Sequence, residues 1–222
     1  MCEVITYSRL DLCDSVIFDL DGTLCDTIGD IERSLVDTFS RCDYPLPDMK
    51  RLRVGPPLAV MIEELLGGNV DRTFVDKIAA EYRENYETSD YGISPLYCGV
   101  FELLLKLKST GKKLAVATLK REASTLRLVK RREIAAFFDT IFCCDTSGKM
   151  YTKDQMLAEI ISQLNINPAN TIFFGDSVSD IAAGKKNGIA TIAVLFGYGD
   201  PTDLIASKPD YICNNYIDLL QS

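Results

Sequence analysis

Two short acidic segments of this chain have the residue types and spacing for chemistry on a charged group. In Phe18-Asp19-Leu20-Asp21-Gly22-Thr23, two carboxylates leave the end of an apolar run and a glycine turns the chain at once. Residues two apart in a strand point the same way, so Asp19 and Asp21 begin as neighbours of like charge. Such a pair is unfavourable unless a cation or a shared proton relieves it, which predicts a metal ion, a proton, or both. The second segment, Gly175-Asp176-Ser177-Val178-Ser179-Asp180, sets two carboxylates one helical turn apart, where both reach one point if a helix starts there. Oxygen-only ligands suit a hard cation, Mg2+ above all. Each segment also has a purely structural reading: Asp21-Gly22 as a turn, and Asp176 or Ser177 as a helix N-cap with Asp180 as a first-turn acid. What speaks for chemistry is their occurrence together, because two acidic strand ends in one parallel sheet lie on the same edge.

The elements that must position these residues are legible as short apolar runs at 15–20, 113–119, 138–144, 171–175, 190–196 and 210–213, each reading as a buried strand. Helical patterns at 100–109, 123–132, 153–164, 178–187, 203–207 and 215–220 fall between or after them. Alternation of this kind predicts an α/β fold, a Rossmann-like, doubly wound parallel sheet. The stretch from 28 to 94 breaks the rhythm. Ile31, Leu35 and Phe39, then Met61, Ile62, Leu65 and Leu66, then Phe74, Ile78 and Tyr82 recur at helical spacing, and Val54-Gly55-Pro56-Pro57 reads as a turn. We therefore expect a core domain from 1–25 and 95–222, with a helical cap domain, 26–94, inserted after the first strand. Ligands in doubly wound sheets bind outside the carboxyl ends of the strands, so an insert hung there is expected to cover the site. Residues 1–14 carry no reading of their own.

Composition narrows the choice of chemistry. The chain has 222 residues, 47% hydrophobic and 25% charged, the balance of an ordinary globular protein. A net charge of −8 with scattered Lys and Arg argues against nucleic acid as a partner. There is no His, which removes Ser-His-Asp and Cys-His catalysis and leaves acid–base work to carboxylates, Lys, Tyr or Cys. The eight cysteines form no C-x-x-C pair and read as free thiols in a reducing compartment. The first fourteen residues lack the apolar stretch of a signal peptide and no run reaches membrane-spanning length, so a cytoplasmic location without a membrane partner is expected.

With these residues in place the chain resembles the haloacid dehalogenase superfamily, and within it the phosphoglycolate phosphatase-like phosphatases with a helical C1-type cap, from about Ser15 to the C-terminus. The resemblance implies a D-x-D-G-T motif in which Asp19 attacks phosphorus and Asp21 protonates the leaving group and then activates water. It implies that Thr118, in Val116-Ala117-Thr118-Leu119-Lys120, holds a phosphoryl oxygen. Leu119 stands where similar enzymes often carry a small polar residue, which leaves its backbone amide for substrate. The family's lysine falls on Lys153, with Lys149 as the alternative, and the Pro that usually follows is absent. Mg2+ is implied on Asp19, Asp176 and Asp180 with the Asp21 carbonyl. Arg53, with Arg51 and the Gly55 turn, is the cap's candidate for substrate recognition, the alternative being plain surface charge. Cys98 stands where Pro is common on the return from the cap. The implied activity is Mg2+-dependent hydrolysis of a small phosphorylated metabolite (phosphoglycolate, a sugar phosphate, a nucleotide or pyrophosphate) through an aspartyl-phosphate, by a monomer or homodimer. A phosphosugar mutase is the nearest rival, although similar mutases place a His in the cap; a non-catalytic scaffold would have no need of the acidic cluster.

Overall fold

The apolar runs fold as strands and the periodic segments as helices. In a computed structural model that describes residues 3–89 and 94–222, the order is β1 (Glu3–Val4), α1 (Tyr7–Asp11), β2 (Ser15–Phe18), α2 (Ile28–Arg41), α3 (Leu58–Leu65), α4 (Arg72–Thr88), α5 (Val100–Ser109), β3 (Lys113–Thr118), α6 (Glu122–Arg131), β4 (Thr140–Cys143), α7 (Lys153–Leu164), β5 (Thr171–Gly175), α8 (Val178–Lys186), β6 (Ala190–Val194), α9 (Pro201–Ala206), β7 (Tyr211–Cys213) and α10 (Tyr216–Gln221). Cys2 and positions 90–93 of the expected cap lie outside the described residues.

The strands form one seven-stranded sheet in the order β1-β7-β6-β5-β2-β3-β4, and every pairing is parallel. The inner strands β2, β3, β5 and β6 are buried on both faces, which is why they read as continuous apolar runs. Val16 and Phe18 of β2 point to one face, where they join Val116, Ile172, Phe174 and the apolar side of α5; Ile17 points to the other, with Ala115, Ala117, Phe173 and Met156, Leu157 and Ile160 of α7. Phe18 and Phe174 stack with centroids 5.0 Å apart, a contact that contributes about 0.5–1.5 kcal/mol beyond area burial. Since all strands run the same way, their carboxyl ends share one edge, with β2 between β5 and β3.

Some expectations need adjustment. The sheet has seven strands rather than six, because Glu3 and Val4 pair with Tyr211 and Ile212 at its margin. Two residues are too few for an apolar period to register. The run at 138–144 yields a strand only over Thr140–Cys143, since a 3-10 turn at Ala135–Phe137 occupies its approach. Helix α9 begins two residues before its expected start, where Asp200 accepts hydrogen bonds from the Thr202 and Asp203 amides and Pro201 supplies a preset φ.

The chain divides into two compact units, Met1–Asp26 with Pro95–Ser222, and Thr27–Ser94. The second is helical and has a core of its own, in which Ile31, Leu35, Phe39, Met61, Ile62, Leu65, Ile78 and Tyr82 are buried and Leu66 and Phe74 pack alongside. Its ends are tied by Asp30, which accepts from both the amide and the hydroxyl of Ser94. All seven described cysteines are free thiols, five of them buried. Among the described residues no helix is long and apolar enough to cross a membrane.

Candidate active site

The site forms where β2, β3 and β5 end. The ladder continues one residue past β2, with the Asp19 amide donating to Phe174 O at 2.8 Å. That registration sends the Asp19 side chain to the same face as Ile17, the face on which α7 packs. Lys153 opens α7, behind a capping box in which Thr152 and Gln155 satisfy each other's backbone. Its ammonium is buried and lies 2.7 Å from Asp19 Oδ1, 2.9 Å from Asp180 Oδ1 and 3.0 Å from the carbonyl of Ala117. Lys149, by contrast, is exposed. Thr118 is buried at the end of β3, and its hydroxyl accepts the Lys120 amide at 3.1 Å.

After β5 the chain turns straight into α8. Ser177 is the N-cap and Asp180 the reciprocal capping-box acid: Asp180 Oδ2 accepts from the Ser177 amide at 3.1 Å and from its hydroxyl at 2.6 Å. The two readings of this segment hold together, because Oδ2 caps the helix while Oδ1 faces the cluster. Oδ1 is ion-paired with the Lys153 ammonium at 2.9 Å. Asp176 accepts the Tyr198 amide on Oδ2 at 2.7 Å.

Asp19, Asp176 and Asp180 each offer a carboxylate oxygen, all within 4.8 Å of one another, and all three residues are buried. Burial pushes the Asp19 carboxyl up to about 7, Lys153 opposing the rise and Asp180 and Asp21 adding to it. Asp176 is pushed well above its ordinary range, first by burial and then by the charges of Asp19 and Asp180. Burial disfavours the Lys153 ammonium, yet Asp180 and Asp19 more than offset that and hold its pKa above the usual lysine value. One ammonium among three buried carboxylates leaves negative charge uncompensated. A hard dication would relieve it, and the oxygen-only donor set of Asp19, Asp176 and Asp180 fits Mg2+.

The family model for haloacid dehalogenase-like hydrolases matches residues 16–194. The chain belongs to this family. Among curated proteins, tyrosine-protein kinase PtkA of Mycobacterium tuberculosis is 32% identical over 187 residues, 83% of this chain but only 62% of the kinase. Phosphoglycolate phosphatase 1 of Pseudomonas aeruginosa is 26% identical over 212 residues, 92% of this chain and 78% of that protein. Among solved structures, a predicted phosphatase from Clostridium acetobutylicum superposes with a TM-score of 0.84 at 30% identity, covering 95% of this chain and 97% of its own. The haloacid dehalogenase-like fold accounts for the parallel sheet.

Of the residues singled out from sequence, Asp19, Lys153, Asp176 and Asp180 meet in one cluster, and Thr118 ends the neighbouring strand. Asp21 is ion-paired with Lys120, Nζ to Oδ1 3.1 Å, a contact sequence reasoning missed although Lys120 stands only two residues past Thr118. The Leu119 side chain packs against the core of the α7 face. Arg53 lies in the Thr27–Ser94 unit, exposed, donating to the carbonyls of Lys50 and Leu52; Arg51 is exposed too.

The loop Gly197-Tyr198-Gly199 was also missed. A side-chain carbon on Gly197 or Gly199 would collide with Asp176, and one on Gly22 would collide with Asp176 Oδ2. Two backbone segments, at Gly22 and at Gly197–Gly199, therefore wall in Asp176. Gly22 has φ +77°, so Gly22→Ala adds left-handed strain to the clash. The variant is expected to melt lower than the parent and to lose most of any Mg2+-induced rise in melting temperature; an unchanged Mg2+ response would remove Asp176 from the cation site.

Proposed function

We propose that the protein is a Mg2+-dependent phosphatase that hydrolyses a small phosphorylated metabolite through an aspartyl-phosphate on Asp19. The observation that carries the reading is the buried set of Asp19, Lys153, Asp176 and Asp180 at the carboxyl edge of the sheet, with Asp21 two residues beyond the nucleophile. Family membership and the likeness to proteins named as phosphatases support it.

Phosphoryl transfer asks little covalent work of a protein and much alignment and charge stabilisation. Lys153 holds Asp19 by one oxygen and keeps positive charge where the phosphoryl group must approach. The Asp19 carboxylate attacks phosphorus and forms the acyl-phosphate bond as the ester oxygen departs, taking a proton from Asp21. Water then attacks phosphorus, gives its proton to Asp21, and the bond to Asp19 breaks to restore the carboxylate and release phosphate. Thr118 offers its hydroxyl, and Leu119 its amide, to the phosphoryl oxygens. Asp19, Asp176, Asp180 and the Asp21 carbonyl would hold Mg2+, which would supply charge neutralisation as the nucleophile meets the phosphate.

The helical unit Thr27–Ser94 is, in this reading, the cap that selects the substrate, with Arg53 as a candidate anion contact. We place the protein in the cytoplasm, as monomer or homodimer, without nucleic acid or membrane partners.

Phosphate release from an aryl phosphate, followed by phosphoglycolate, a sugar phosphate, a nucleoside monophosphate and pyrophosphate, tests the reading. Release that requires Mg2+ and is abolished by EDTA is expected. Transfer of phosphate from ATP to a protein tyrosine, with no release from any of these esters, would instead align the chain with its kinase relative and refute hydrolysis.

A further inference from the structure

Tyr198 makes contacts that the hydrolytic mechanism does not use. Its amide donates to Asp176 Oδ2 at 2.7 Å, while its hydroxyl donates to Asp26 Oδ1 at 3.0 Å. The side chain also hydrogen-bonds Tyr97, and the ring edge lies against Gly22, where an added side-chain carbon would come 2.9 Å from Cδ2. Asp26 is the last residue before the Thr27–Ser94 unit, and Tyr97 lies two past Pro95, where the chain returns. These two passages are paired with each other: the Asp26 amide donates to Pro95 O at 2.9 Å and the Tyr97 amide to Leu24 O at 3.1 Å.

We propose that Tyr198 is a positioning residue that links both chain passages to the carboxylate of Asp176, so that cation binding at the carboxylates and ordering of the passages favour one another. The inference rests on the cation reading given above. Its physical basis is that the two bonds leave a single residue whose neighbours cannot give way, since Gly197 and Gly199 already pack against Asp176 with no room for a side-chain carbon. A shift of Asp176 onto a cation therefore carries the Tyr198 backbone with it, and the ring transmits the shift to Asp26 and Tyr97. Coupling of this kind is reciprocal: what the cation does to the passages, ordered passages do to cation affinity.

Hydrogen exchange at the Asp26 and Tyr97 amides, followed with and without Mg2+ alone, tests the link in the full chain. Mg2+ is expected to slow exchange by at least about 5-fold in the parent. In Tyr198→Phe, which keeps the ring and the amide on Asp176, the slowing is expected to fall below about 2-fold while the Mg2+-induced rise in melting temperature persists. Asp26→Ala cuts the same bond from its other end, leaves Tyr198 intact, and should uncouple in the same way, which guards against a poorly folded Tyr198 variant. Equal slowing in the parent and both variants, or none in a parent that binds Mg2+, overturns the proposal. Absence of any Mg2+-induced melting shift in the parent is a different failure: it sinks the cation reading, and the coupling with it.

Discussion

Asp19→Asn is expected to abolish phosphate release, by at least about 10³-fold, without unfolding the protein. An amide of the same shape cannot form the acyl-phosphate bond, so the loss should fall on turnover. Stability should hold, because the substitution removes one of three crowded carboxylates, and Lys153 keeps its contacts with Asp180 and the Ala117 carbonyl. Melting temperature without metal should match the parent or exceed it. Asp21→Asn makes the contrast. It leaves the nucleophile in place, so an aryl ester whose leaving group needs no acid should still phosphorylate Asp19, and covalent phosphate should be recoverable after an acid quench because the second step lacks its base. Turnover above a tenth of the parent's in Asp19→Asn would rule out this residue as the nucleophile.

The largest stability effect is expected from Lys153→Met. The ammonium is buried with carboxylates on two sides, and removing one partner of such a set typically costs about 3–5 kcal/mol. For a chain of this size that corresponds to a fall of roughly 6–20 °C in melting temperature. Methionine fills much of the same volume, so the loss reads out charge rather than a cavity. Saturating Mg2+ should restore part of the stability by supplying positive charge to the same carboxylates, but not the activity, since nothing replaces the donor on Asp19. Melting curves of parent and variant, each with Mg2+ and with EDTA, separate these contributions; a metal-free variant within 2 °C of the parent, a shift of at most about 1 kcal/mol, would mean that the lysine does not hold the cluster together.

The parts of this molecule that could be read in advance are those where periodicity and chemistry coincide. Buried parallel strands advertise themselves as apolar runs, and a carboxylate at the end of such a run is marked by its position as well as its charge. Asp19 and Asp176 are of this kind, and Asp180 follows from helical spacing; Thr118 was marked only by the family resemblance, since alone it reads as an ordinary strand residue. Lys153 was marked by the family resemblance and preferred to Lys149 because it opens the helix expected at 153–164, a start that the capping box of Thr152 and Gln155 fixes. What escaped depends on chain segments distant in sequence approaching closely in space. The Lys120–Asp21 pair depends on how the chain bends after Thr118, where the hydroxyl captures the Lys120 amide. The packing of Gly22, Gly197 and Gly199 around Asp176 has no period at all, because it records backbone clearance rather than side-chain character. Strand β1 escaped for a simpler reason, being two residues long.

The central place of β2 sets a timetable for the molecule's biosynthesis. Its partners in the sheet are Lys113–Thr118 and Thr171–Gly175, so residues 15–18 leave the ribosome long before either neighbour exists. At about 5–20 residues per second, roughly 8–30 s separate Asp19 from the strand that completes its surroundings. The helical unit Thr27–Ser94, whose core draws only on its own residues, has all its parts available in the meantime. Nascent chains are therefore expected to carry a folded insert on an unpaired, strongly apolar first strand, and to acquire hydrolytic competence only after Asp180 has emerged.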